Sequence, residues 1–363
     1  MATVTDTLIQ GLTDRMVQER INSIDVKPFH FGTLFPVKRV NGFSWKMLTN
    51  QLTAKNVAAD IHTDNGSIIR KKRGMFETAQ GDIPFISISR DMTRAQIKEY
   101  RTAAALAQTG DAVELVDYWG NDVDFCFNGV QAELEFIALK LMSQAGKLEF
   151  TASNNATYAN EFDLDYQVDA ALKKASDTDW GTAATADVIG DLAKLVQYAK
   201  GKNLNPKYGF VSLNTLYKIA SAEQIIKSCA TLVANAVGIA SKPDLKDINA
   251  MLAKQPWLNS LQLVVIDQDI TRETIDGTQT TGNPFADDVI VLSNTLVQGS
   301  TQYDILNVEN PSIIRAERSH TVVKKYGTIE PTSEVTIGEA DAVPVFDNAY
   351  RNLYVKTNAQ AWS

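Results

Sequence analysis

The 363-residue chain has only two cysteines, Cys126 and Cys229, and three histidines, His30, His62 and His320. The cysteines lie far apart, each in a segment that reads as helix. They read as two buried thiols in a reducing compartment, not as a disulfide framework. Each histidine is solitary, and neither HExxH nor CxxC offers a metal its ligands. There is no GxSxG elbow, no P-loop, and no GxGxxG opening a helix after a strand. No apolar run approaches the roughly 20 residues needed to span a bilayer. The opening MATVTDTLIQGLTDRM lacks the basic and apolar regions of a signal peptide. These absences lead to the expectation of a protein without cofactor or recognisable catalytic site, made and used in a cytoplasm without membrane insertion. Positive charge is also short. Lys and Arg number 35 against 43 Asp and Glu, a formal net charge of -8. A pI near 5.1 argues against coating nucleic acid through the whole surface, which requires net positive charge to replace counterions.

What is present suits a soluble globular chain of one or two domains. It is 44% hydrophobic and 21% charged, enough apolar material for a sizeable core. Against the acidic background, residues 66–87 read GSIIRKKRGMFETAQGDIPFIS and carry four consecutive cations, Arg70, Lys71, Lys72 and Arg73. Three readings compete for this run: a solvated loop tip, a DNA contact, and a contact to another protein surface.

Residues 1–27 hold one short helix, around Thr5 to Ile24. Phe29 to Leu48 reads as extended, with Asn41-Gly42 as a hairpin turn. Thr49 to Arg90 is a long polar excursion between strand-like ends. It cannot bury a core of its own and reads as a two-stranded arm that needs a surface to rest on. Thr93 to Gln108 reads as helix. Asp111 and Glu114 form a capping box for the next helix. There Val113, Val116, Trp119, Val123, Phe127, Val130, Leu134, Ile137 and Leu141 recur at spacings of three and four. From Asp111 to Gly146 this gives a helix of about 50 Å, with Gly120 and Gly129 marking a bend. Alternating helices and strands from Ala186 to Ser293 make a mixed α/β region. They include helices at Ala186–Lys200 and Asn214–Ala222 and strands at YGFVSL, LQLVVID and DVIVLS. HTVVKKYG, SEVTIG and NLYVKT close the chain in β alternation. No internal repeat or low-complexity segment occurs.

The chemical candidates are weak. Asp267-Gln-Asp269-Ile-Thr271-Arg272 opens like a calcium loop, but Arg272 stands where the turn needs Gly and Thr278 where Glu is needed. It reads as a plain loop between strands. Asp117, Asp122 and Asp124 read as a solvated charged face of the long helix, alongside Glu114, Glu133 and Glu135. A chain this long with so little concentrated chemistry points to function through its surface.

The order of parts resembles the HK-97 fold of tailed-bacteriophage major capsid proteins, the lambda-type major head proteins in particular. PFHFGTLFPVKR and GSIIRKKRG fit its early aromatic stretch and its arm. ELVDYWGNDVDFCFNGVQAELEFIALKLMSQAG fits its spine helix. Asp179-Trp180-Gly181 resembles the start of its A-domain, PFADDVIVLSNTLVQGSTQYD a late strand and loop of that domain, and AVPVFDNAYRNLYVKT the closing stretch. The resemblance covers nearly the whole chain and rests on the order of individually weak motifs. It implies an α+β chain with an N-arm at 1–35, an E-loop hairpin at 36–92, and a P-domain at 93–178 with the spine helix at 111–146. An A-domain at 179–300 and a return to the P-domain at 301–363 complete it.

The resemblance further implies a shell protein, not an enzyme. Homo-hexamers and pentamers would tile an icosahedral virion capsid around packaged double-stranded DNA, without sequence-specific binding. Assembly would take place in the bacterial host cytoplasm, with a separate scaffolding protein, a portal and a decoration protein as partners. Arg70, Lys71, Lys72 and Arg73 would make inter-subunit contacts from the E-loop. Val116, Val123, Val130, Leu134, Ile137 and Leu141 would pack the spine helix. Two other readings remain at this stage: an encapsulin-like nanocompartment shell, and an α/β enzyme with an unrecognised site between Tyr208 and Ser293.

Overall fold

The computed structural model describes residues 4–25, 29–49, 77–106, 112–155, 162–230, 241–274, 276–307 and 310–362. Side chains of residues 48–49, 77–79, 106 and 112–117 are outside that description. The chain forms two compact units. The first comprises Met1–Trp45, Gly81–Ile137 and Ser300–Val345; the second comprises Lys46–Gln80, Ala138–Gly299 and Phe346–Ser363.

The first unit is built on a seven-stranded sheet around the strand Ser333–Val345. One edge of that strand pairs antiparallel with Phe85–Thr93. The other carries Thr321–Thr328 and then Ser300–Asp304, both antiparallel; Asp341 stands opposite Phe85 on one side and Asp304 on the other. Thr321–Thr328 pairs in turn with Ile314–Arg318 and with the short Val4–Thr5. Val37–Arg39 runs parallel to Ser300–Asp304.

Against this sheet lies the helix Ala112–Ser143, 32 residues and about 48 Å long. Val123, Val130, Leu134, Ile137 and Leu141 are all buried, Leu141 in the part belonging to the second unit. Two glycines let helix and sheet approach closely. A Cβ on Gly338 of the central strand would collide with the backbone carbonyl of Cys126 in the helix. A Cβ on Gly129 would lie 2.7 Å from Ile88 Cδ1, so the Ile88 side chain fills the place a larger residue would occupy. Gly120 sits under the Arg20 guanidinium, with Nε 3.2 Å from where a Cβ would stand. The helix is one continuous element, and these glycines are points of close approach.

The N-terminal helix is shorter than expected. Val4–Thr5 is a strand, and the helix is Asp14–Ser23, capped by the Thr13 side chain. Gly11 at φ +83° turns the chain between them. Val17 and Ile21 are fully buried in a core with Ile97, Trp119, Val123, Phe127 and Val323. Gln18 Nε2 donates to Glu317 O (2.8 Å) and Gln18 Oε1 accepts from Glu317 N (3.0 Å). The segment expected to be extended after Phe29 contains one helical turn, Phe31–Leu34. Asn41-Gly42 does not fold one strand onto the next. Val37–Arg39 stays in the sheet, while Ser44–Thr49 leaves it and pairs with Glu77–Asp82 in a two-stranded ribbon. Gly42, at φ +105°, makes the change of direction, and its N–H donates to Asp304 Oδ2 at 2.9 Å.

The second unit holds a five-stranded mixed sheet in the order Gln262–Ile266, Tyr208–Ser212, Val289–Ser293, Leu353–Lys356, Lys173–Ala175. Helices Val188–Gly201, Leu213–Ser221, Glu223–Cys229 and Leu245–Ala253 supply Leu192, Val196, Ile219, Ile225, Ile248 and Leu252 to its core. Cys126 is buried as expected, whereas Cys229 is only partly so. The expected return at 301–363 is divided. Phe346–Ser363 belongs to the second unit because Val355 and Leu353 complete its core. The supposed loop at Asp267–Thr278 contains a strand, Ile270–Glu273, which pairs with Gln279–Gly282. That hairpin is tied across by the Thr271 and Thr281 hydroxyls at 2.8 Å.

The close approach at Gly338 gives a direct expectation. Gly338→Ala should destabilise the unassembled chain by about 1–3 kcal/mol through forced overpacking. Gly201→Ala, at a helix end with nothing within 4 Å of the added carbon, should change stability by less than about 0.5 kcal/mol. Urea unfolding of both variants measures the difference.

Candidate functional site

Arg70, Lys71, Lys72 and Arg73 lie outside the described residues, as do His62 and the cap residue Asp111. The backbone of Val116 is helical, and its side chain is outside the description, as are those of Glu114 and Asp117. The remaining acids of the long helix correct the expectation of a solvated face. Asp124 takes two hydrogen bonds from the Arg20 guanidinium, the Nε one at 2.9 Å. Asp122 is mostly buried and faces Arg90 Nε at 3.6 Å. The Arg90 guanidinium also covers the Phe125 ring at 4.6 Å. These carboxylates are committed to their own unit.

Around them, the first unit buries ionisable groups that the apolar pattern alone does not announce. Lys325 is fully buried and its Nζ donates to Thr336 Oγ1 at 2.7 Å. Burial pushes its ammonium below the usual lysine value, while Glu334 and Asp122 favour the charge. Glu334, also fully buried, accepts from Thr7 Oγ1 (2.5 Å) and Leu8 N (2.7 Å), and so ties down the N-terminal segment. Glu135 is 0% exposed and accepts from the backbone N–H groups of His30 (2.9 Å) and Phe31 (2.6 Å). Burial raises its carboxyl to about 7, against the pull of those two donors. His320 packs edge-on to Phe31 and Tyr303, each 6.0 Å between ring centroids. Among the described residues neither of its ring nitrogens has a hydrogen-bond partner, and burial lowers its value to about 4.

The arrangement holds elements of the unit together. The Cys126 thiol is pushed up to about 11 by burial, so it is not poised as a nucleophile. Its Sγ contacts Thr336 O at 3.4 Å. In the second unit, buried Asp191 accepts from Thr178 N, Thr178 Oγ1 and Trp180 Nε1, at 3.1, 2.7 and 3.0 Å. This locks the Asp179-Trp180-Gly181 stretch to the helix Val188–Gly201. Among the described residues, no group of three or more His, Cys, Asp or Glu is placed to hold a metal ion. No described helix is long and apolar enough to cross a membrane.

No family model and no curated protein matches the chain. Solved structures do. A phage-related protein from Bordetella bronchiseptica RB50 matches with a TM-score of 0.51 over 99% of both chains, at 12% identity. A prophage capsid protein from E. coli CFT073 matches at 0.55, over 95% of this chain and 99% of that one, at 13% identity. The capsid of Cyanophage A-1(L) matches at 0.50, over 93% and 95%, at 12% identity. This is the HK-97-like capsid fold. Its α+β character was legible in the order of parts. The buried charges within this capsid-fold chain were missed, although two signals marked them. In Thr321–Thr328, period-two alternation from Val323 places Lys325 inward. On the long helix, Gln131 and Glu135 are four apart and share a face, and Gln131 is likewise buried, donating to Thr321 Oγ1 at 2.7 Å.

His320 and Glu135 predict opposite pH dependences. Free histidine takes its proton near 6.5 and folded His320 near 4, so the unfolded chain gains a proton first and stability falls as pH drops through that window. Folded Glu135 protonates near 7 and a free glutamate near 4.5, so stability rises as pH drops between those values. Urea unfolding from pH 6.5 to 4.5 should show His320→Phe gaining about 2–3 kcal/mol relative to the parent chain, and Glu135→Gln losing a similar amount. Parallel profiles for all three proteins would remove this assignment.

Proposed function

We propose that the chain is a major capsid protein of a tailed phage or prophage, a structural shell subunit that assembles with copies of itself into hexamers and pentamers. The observation that carries this reading is a match to two phage or prophage capsid structures and a phage-related protein along the whole chain rather than in one unit. It covers 93–99% of this chain and 95–99% of each partner in the comparison. A fold shared at 12–13% identity constrains arrangement and not chemistry. The location that follows is the virion, with assembly in a bacterial cytoplasm around double-stranded DNA bound without sequence specificity. A scaffolding protein, a portal and a decoration protein are the further partners of this proposal.

Within it, residues 1–35 act as the N-arm, 36–92 as the E-loop and Ala112–Ser143 as the spine helix. Arg70, Lys71, Lys72 and Arg73 make contacts from the E-loop to a neighbouring subunit. The Asp122 and Asp124 face of the spine is not their receiver, since Arg90 and Arg20 already occupy it. Another acidic surface of the neighbour takes them. Single exposed ion pairs contribute only about 0–1 kcal/mol each. Repeated around a shell, they set contact geometry and assembly rate.

Sedimentation of the concentrated chain tests this. The parent should run as rings or larger closed species. The variant with Arg70, Lys71, Lys72 and Arg73 all changed to Gln should remain a folded, unassembled subunit with an unchanged melting temperature. A variant that assembles as the parent does would remove the E-loop role. A parent that stays monomeric, with and without a co-expressed scaffold, would overturn the capsid reading.

A further inference from the structure

The edge of the second unit's sheet gathers cations in an otherwise acidic chain. The edge strand Lys173–Ala175 runs parallel to Leu353–Lys356, with Tyr354 opposite Lys173, Val355 opposite Lys174 and Lys356 opposite Ala175. Val355 points into the core below the helices, so Lys174 leans to that face, while Lys173 and Lys356 stand on the other. Lys174 Nζ lies 4.4 Å from the centroid of the Tyr198 ring, and Lys202 Nζ lies 5.8 Å from the same centroid. On the opposite side, Lys356 Nζ lies 5.4 Å from the Trp362 ring. Trp362 Nε1 donates to Lys174 O at 2.7 Å, which joins the two halves into one surface. Tyr198 is fixed in turn by its hydroxyl, which donates to Ala171 O at 3.0 Å.

Two features set this surface apart from a solvated lysine face. First, Lys173, Lys174 and Lys356 form no ion pair among the described residues. The nearby acid Asp177 is taken by Lys194 at 2.5 Å. The Tyr198 and Trp362 rings hold the Lys174 and Lys356 ammonium groups in place without neutralising them, and Lys356 Nζ also donates to Ala361 O at 3.2 Å. Secondly, none of the chain's exposed large hydrophobic side chains lies on these segments. A protein partner would require an apolar centre to its contact. A surface of fixed, uncompensated cations without apolar area suits a hydrated polyanion, with lysine acting as a point charge on phosphate. The tyrosine and tryptophan faces are already covered by ammonium groups, so base stacking is not part of the design.

We propose that this edge, centred on Lys173, Lys174 and Lys356, is a sequence-independent contact for the phosphodiester backbone of duplex DNA. It deepens the capsid reading by naming where the shell subunit touches packaged DNA, and it rests on that reading for its biological setting. The binding chemistry itself does not depend on assembly.

The test is fluorescence anisotropy of a 30-base-pair duplex of arbitrary sequence, titrated with the full chain between about 50 and 200 mM salt. Each phosphate contact adds about 0.9 to the slope of log affinity against log salt. The variant K173Q/K174Q/K356Q keeps the stems of residues 174 and 356 over the rings and should lower that slope by up to about 2.7. It should also lose at least tenfold in affinity at the lowest salt. Lys→Arg at the same three positions should restore both. K98Q/K246Q/K254Q, which removes three exposed lysines elsewhere, should leave both unchanged. No binding by the parent chain would overturn the proposal, as would equal loss in the control variant. Tighter binding of polyglutamate than of DNA would also overturn it, in favour of an acidic protein partner. Electron microscopy of the same variant separates the two readings. Shells that form normally while DNA affinity is unchanged remove this contact alone, whereas failure of the parent chain to assemble removes the capsid reading.

Discussion

The first unit depends on one close approach. Gly338, in the middle of its longest strand, faces the carbonyl of Cys126 with no room for a side chain. This lets the long helix lie directly on the sheet, where Ile88 fills the space beside Gly129. Helix and strand are thereby fixed in register as well as in distance, because the two glycines belong to different elements and must coincide. The buried residues Val123 and Phe127 then meet a core already lined by Val17, Ile21 and Val323. A residue larger than glycine at position 338 would lift the helix and separate all of these contacts together.

The same unit also buries charge: Lys325, Glu334, Glu135 and His320 are all buried in it. Such groups carry a large desolvation penalty, so each must be matched or kept neutral. Lys325 has Thr336 and the nearby carboxylates of Glu334 and Asp122. Glu334 and Glu135 hold backbone N–H groups of the N-terminal segment, and His320 stays neutral among aromatic rings. Glu334 thereby ties Thr7 and Leu8 to the sheet, and Glu135 ties His30 and Phe31 to the long helix. In the capsid reading these four are residues of the N-arm, so its root is held by polar contacts inside the subunit.

What could be read in advance was periodic. The 3–4 spacing from Val116 to Leu141 identified the long helix, and the runs YGFVSL, LQLVVID and DVIVLS identified three strands of one sheet. The misreadings have physical causes. Asn41-Gly42 has the chemistry of a hairpin turn, but its flanking strands pair with distant partners, and local propensity carries no information on which. Ile270–Glu273 and Gln279–Gly282 pair with each other on an exposed hairpin, so no apolar alternation marks them. Asp122 and Asp124 looked solvated because helical periodicity does not show that Arg90 and Arg20 come to meet them from other elements. The lysine edge is spread over residues 173–202 and 356, and only the sheet order brings it together.

In the proposed capsid reading, the chain is organised to meet other copies of itself. Electron microscopy of the concentrated recombinant chain, alone and with a co-expressed scaffold, tests this most directly. The account predicts closed shells, or rings of five and six subunits that close into shells with the scaffold. A uniform monomer under every condition would contradict it.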